Sequence, residues 1–205
     1  MNPRIHAGTL ALALAAFAVL GAPAAQAALS TYQGNLASDD ELFVLNFQLH
    51  EHSTIDARTL SWASGGFAGV LSLFGPGGLL QQAVGSSNAC AGASGVPDPA
   101  TGFCWDAYFS VQLGAGDYTL VLSQDGNLPI GGTLADGFSM SGQPNYTGTW
   151  FLGDASRSFI NVDGSQRSSD WAFTLEGHAV PEPAAWSLAA AALLALGATR
   201  RSRRS

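Results

Sequence analysis

Through the middle of the chain apolar and polar positions alternate with a period of two. Phe43, Leu45, Phe47 and Leu49 are spaced as the inward face of an extended strand, with Val44, Asn46 and Gln48 between them. The same spacing recurs over residues 71–74, 108–113, 118–122 and 171–175. No middle segment shows a helical stripe bracketed by caps. Turn signals separate the runs: Ser38-Asp39-Asp40, Ser64-Gly65-Gly66, Gly75-Pro76-Gly77-Gly78, Gly114-Ala115-Gly116-Asp117 and Gln124-Asp125-Gly126-Asn127. Residues 75–78 stand before Leu79 and Leu80, and residues 114–117 stand between two clear strands, so both predict hairpins. Many short strands at this spacing predict an all-β, antiparallel β-sandwich of the jelly-roll kind over residues 28–179.

Phe43, Phe47, Trp62, Phe74, Phe109, Tyr118, Trp171 and Phe173 are the expected core aromatics. Two long stretches, 85–102 and 126–169, lack periodicity, and irregular segments of that length in a domain carry function more often than short loops do. The second holds Phe138, Tyr146, Trp150, Phe151 and Phe159. Those aromatics predict that it folds over one sheet and adds a strand near residues 147–152.

Composition changes this picture at the two ends. Of 205 residues, 47% are hydrophobic and 11% charged, and all eight basic residues are arginine. Residues 28–179 carry fourteen Asp and Glu against three Arg, a net charge of −11, which excludes a basic nucleic-acid surface. Arg4 precedes an uncharged run over residues 9–20, followed by Ala25-Gln26-Ala27. A charged start, an apolar core and a small-x-small site predict a signal peptide over residues 1–27, cut after Ala27, with Ala25 and Ala27 as the recognised positions. A buried N-terminal helix is the alternative.

At the other end Val180, Pro181, Glu182 and Pro183 lead into an apolar stretch with Trp186, then Arg200, Arg201, Arg203 and Arg204. A short transmembrane helix with cytoplasmic arginines is expected. The order of Pro-Glu-Pro, helix and arginine cluster over residues 180–205 resembles the PEP-CTERM sorting signal; the alternative is a plain C-terminal anchor with an accidental Pro-Glu-Pro. That resemblance implies an exosortase partner that recognises residues 180–183 and removes the helix. The protein is then expected at the inner membrane before processing and at the cell surface or outside the cell afterwards.

Cys90 and Cys104 are the only cysteines, and in an exported chain an even count predicts one disulfide; a metal pair or a nucleophile is the alternative. Asp39 and Asp40, with Asp106 further on, are hard oxygen ligands in turns and the candidate calcium site, although turns are rich in Asp for backbone reasons alone. No cofactor is expected otherwise. His50, His52 and His178 join no recognisable catalytic motif, and no nucleophile elbow, zinc motif or phosphate loop is present. Carboxylates from distant strands leave a hydrolase as the least favoured reading.

Gly65-Gly66-Phe67 leading to Leu71-Ser72-Leu73-Phe74, Trp105-Asp106-Ala107-Tyr108, residues 113–124 with Asn127, Asn145-Tyr146-Thr147-Gly148 and Trp171-Ala172-Phe173 together resemble an exported bacterial domain family that carries PEP-CTERM tails. That family is distantly similar to pre-peptidase C-terminal domains. The resemblance implies a jelly-roll-like sandwich without catalysis of its own. Where the family pattern has an acidic pair, Ser86, Ser87 and Asn88 stand instead. The expected function is a non-catalytic, exosortase-sorted surface or matrix protein. Its alternative is a polysaccharide-binding module, with or without calcium, using Trp150 or Tyr146.

Overall fold

The computed structural model describes residues 28–86, 97–98 and 102–179. Eight strands follow in order: β1 (Ala28–Asn35), β2 (Phe43–Leu49), β3 (Ser53–Thr59), β4 (Gly69–Phe74), β5 (Leu80–Val84), β6 (Tyr108–Leu113), β7 (Gly116–Gln124) and β8 (Asp170–Ala179). Among the described residues one α-helix, α1 (Tyr146–Leu152), interrupts the stretch between β7 and β8. One sheet has the order β1-β8-β3-β6 and the other β2-β7-β4-β5, with every pairing antiparallel. First pairs with last, second with seventh, third with sixth and fourth with fifth, as in a hairpin ribbon rolled into two layers. The expected antiparallel sandwich is therefore present, and this pairing is that of a jelly roll.

The alternating positions supply the interior. Leu71, Leu73, Leu120 and Leu122 from one sheet meet Ile55, Ala57, Phe109, Phe173 and Leu175 from the other, and all are buried. Tyr32, Phe43, Trp171 and Phe173 form a contiguous aromatic group within this layer, with ring centroids 4.4 to 5.8 Å apart. β4 is buried at every position because its outer face is covered as well. Phe138, from the long segment after β7, packs there on Phe74 and Val121, with Leu134, Leu42 and Leu80 at its margin. This is the cover expected over one sheet, and it buries both faces of β4.

Three expectations are corrected. Residues 114–117 do not make a hairpin: β6 lies beside β3, whereas β7 lies between β2 and β4 in the opposite sheet. Leu113 and Tyr118 both face the interior, so crossing between sheets buries the same side chains as a hairpin would, and periodicity cannot tell the two apart. Residues 147–152 are not a strand but most of α1, which begins after Asn145 and stops at Gly153 in the left-handed region (φ 67°). Gly153 is the stop signal that periodicity alone overlooked. Trp62 is not a core aromatic; it is half-buried on the loop that follows β3.

β1 and β3 carry no strong hydrophobic alternation. The inward residues of β3 are Ser53, Ile55, Ala57 and Thr59, two of them hydroxylic. The signal peptide, residues 1–27, and the sorting signal, residues 180–205, lie outside the described residues. Among the described residues no helix is long and apolar enough to cross a membrane.

Candidate functional site

The two ends of the sandwich differ. Ala28 is opposite Gly177, Ser53 is opposite both Ala179 and Leu113, and Leu49 is opposite Gly116, so both ends of the domain and the short turns share one end. The other end bears the loops after β1, β3, β5 and β7. α1 sits there.

α1 is held by an acid from a different loop. Asp39 is 0% exposed, and its Oδ2 accepts hydrogen bonds from Thr147 N (2.9 Å) and Thr147 Oγ1 (2.6 Å), while Oδ1 accepts one from Phe159 N (2.6 Å). Thr147 Oγ1 in turn accepts one from Ile160 N (2.9 Å). Asn145 makes no side-chain cap, so Asp39 satisfies an orphan amide of the first turn from outside the helix. Burial pushes the Asp39 carboxyl above its ordinary range, and the bonds from Thr147 and Phe159 pull it partly back. Asp40 is bound separately, its Oδ1 by Ser38 Oγ (2.6 Å) and its Oδ2 by Gly142 N (3.0 Å).

This anchor fixes an aromatic pair. Tyr146 is 2% exposed and donates from its hydroxyl to Asp125 O (2.7 Å). Burial, with the nearby charges of Asp39 and Asp125, pushes its phenol far above the usual range, so it remains a donor. The expectation of Tyr146 as an exposed platform is therefore not met. Trp150 is 51% exposed and lies edge to face with Tyr146, centroids 4.8 Å apart. Gly126 lies beneath it at φ 91°, where a Cβ would stand 2.9 Å from Trp150 Cζ3. Beside the indole runs a groove of about 320 Å³ bordered by Gln143, Pro144, Asn145, Thr149 and Ala155. An aromatic face clamped from behind, beside neutral polar groups, is an arrangement for stacking and hydrogen bonding a planar or ring-shaped ligand.

Asp106 belongs to another corner of the same end. Its Oδ1 accepts from Thr59 Oγ1 (2.9 Å) and Trp62 N (3.3 Å), and Thr59 Oγ1 accepts from Ala107 N (2.8 Å). Burial raises its pKa; Thr59, Trp62 and Ser61, and then the Arg167 charge, oppose the shift. The Arg167 guanidinium lies 3.7 Å over Trp62, which stacks on Trp105 at 4.7 Å. Asp39, Asp40 and Asp106 thus share an end of the sandwich, but each is spoken for by different donors. Among the described residues no group of three or more His, Cys, Asp or Glu is placed to hold a metal.

Sequence reasoning missed one set of side chains on the outer face of the first sheet. Asp56 of β3 stands directly opposite Glu176 of β8, and His178 Nε2 is 3.6 Å from Asp56 and 3.3 Å from Glu176. Tyr108 donates its hydroxyl to Asp56 (3.0 Å), and Arg58 borders the same shallow depression. Only strand pairing brings these together. His50 and His52 are exposed on the turn between β2 and β3. Cys104 is buried and is not a free cysteine, while Cys90 lies outside the described residues, as do Ala25, Ala27, Val180, Pro181, Glu182 and Pro183.

Fold and site together define a two-layer all-β domain with a loop-borne aromatic groove at one end. No family model matches the chain, and no curated protein matches it. Among solved structures it is similar to the pre-peptidase C-terminal domain of a collagenase from Bacillus anthracis, at 13% identity and a TM-score of 0.35, covering 71% of this chain and 85% of that one.

Proposed function

We propose that this is an exported, exosortase-sorted surface or matrix protein whose non-catalytic sandwich holds polysaccharide in the groove beside Trp150. The observation that carries the reading is Trp150 itself: half-exposed, yet fixed by Tyr146 and Gly126. An exposed indole on a free rotamer would be ordinary surface; one locked in place costs less entropy on binding. Support for export and sorting comes from the sequence at residues 1–27 and 180–205, and for the bridge between Cys90 and Cys104 from their even count and the burial of Cys104.

Two measurements on the producing cell test this. Intact mass of surface-extracted protein is expected to show a chain that begins at Ala28 and ends near Pro183; recovery of the full-length species alone, with exosortase active, rejects sorting. In fractionation, the wild type is expected to stay with the extracellular polysaccharide and Trp150→Ala to be released. The hydrolase reading has Asp56 and Glu176 as its carboxylate pair, and its own signature is polymer cleavage abolished by Glu176→Gln.

A further inference from the structure

We infer that the ligand of the Trp150 groove is an uncharged glycan, and this rests on the groove being a polysaccharide site. Among the described residues no Asp, Glu, Arg or His borders the groove. The groups that do are an exposed amide at Gln143, the Asn145 side chain and the Thr149 hydroxyl. Asn145 commits its Nδ2 to Ala155 O (2.7 Å), which leaves its Oδ1 to accept from a ligand hydroxyl. Thr149 commits its proton to Asn145 O (3.1 Å), which leaves its oxygen to accept as well. Acceptors that face a ring of hydroxyls, beside a stacking face, match a neutral sugar.

Charge excludes the other two glycan classes. A uronate or phosphate polymer needs a cation at the site, and the three arginines of the domain are elsewhere: Arg58 on the outer sheet face, Arg157 bonded to Gln166 and Arg167 over Trp62. The net charge of −11 would also repel it at long range. An amine polymer needs a carboxylate aimed at it. The carboxylates that touch the groove's own segment already hold donors of the fold: Asp154 Oδ1 takes Ser156 N and Oγ, Asp40 takes Ser38 and Gly142, and Asp39 takes Thr147 and Phe159.

The test is affinity electrophoresis of the full chain, purified in detergent, through gels holding a neutral glucan, a polyuronate or a glucosamine polymer, at low and high salt. Retention is expected in the neutral gel, unchanged by salt, weakened at least tenfold by Trp150→Ala, largely kept by Trp150→Phe and weakened several-fold by Gln143→Ala. Unchanged melting of the variants marks the loss as binding rather than folding. Salt-sensitive, Trp150-dependent retention by a charged polymer in preference overturns the neutral class while leaving the groove as a glycan site. Retention by none of the three that depends on Trp150 overturns the glycan reading itself, and this inference with it.

Discussion

Asp39 acts as a structural acceptor for three donors, and removing it strands two amides and a hydroxyl in the interior. Asp39→Ala is expected to cost about 3 kcal/mol, at the upper end for a buried hydrogen-bonded charge, read as a shift in urea midpoint. Its titration sets a sign. Asp39 and Asp106 have folded pKa values above their unfolded ones, so between the two the folded state binds more protons. The stability they contribute is therefore fullest below about pH 4, the unfolded carboxylate value, and is lost as pH rises through the raised folded value. Urea unfolding across a pH series is expected to give a shallower fall for Asp39→Asn than for wild type; parallel slopes would contradict it. The same occupancy bears on calcium. With the carboxylates already used and not gathered, melting in millimolar calcium is expected to match melting in chelator, and a rise of several degrees that vanishes in Asp106→Ala would restore the metal reading.

α1 shows what one element owes to its neighbours. A glycine inside a helix is normally a weakness, and replacing it with alanine stabilises by up to about 1 kcal/mol. Gly148 reverses that sign, because a Cβ there would lie 2.0 Å from Arg157 O and 2.5 Å from Asp154 O, both backbone. Gly148→Ala is expected to destabilise by about 2 kcal/mol or more and to disturb Trp150, visible as a shifted indole emission maximum. This close approach is a tertiary fact, invisible in the aromatic composition that made residues 147–152 read as a strand. β2, β4, β7 and β8 were legible because their inward positions are large and apolar. β3 was not, since Ser53 and Thr59 sit inward among closely packed neighbours.

At the scale of the whole molecule, periodicity gives strands and turns give their breaks, but neither gives the partner of a strand. The opposition of Asp56 and Glu176, and the crossing at residues 114–117, exist only in the roll. The groove was half legible: Trp150 could be named from the sequence, whereas Tyr146 could not be told from a platform until its hydroxyl was seen buried on Asp125 O. The loop that holds Cys104 lies at the same end as the groove, outside the periodic strands. Thiol titration of unreduced, denatured protein is expected to find no reactive thiol, and replacing both cysteines with serine to cost about 3 kcal/mol or less while the sandwich stays folded; two free thiols would end the idea.

The placement of both strand ends, Ala28 and Ala179, at one pole also sets how the domain bears a mechanical load. β8 lies between β1 and β3, hydrogen-bonded on both sides. A pull between the loop-bearing pole and the C-terminal end of β8 runs along the strands, so both ladders shear together and the resisting bonds act in parallel. A pull that separates Ala28 from Ala179 would open β1 from β8 like a zipper, one pair at a time. A sandwich tethered through β8 and gripped at its far pole is thus loaded along its strong axis.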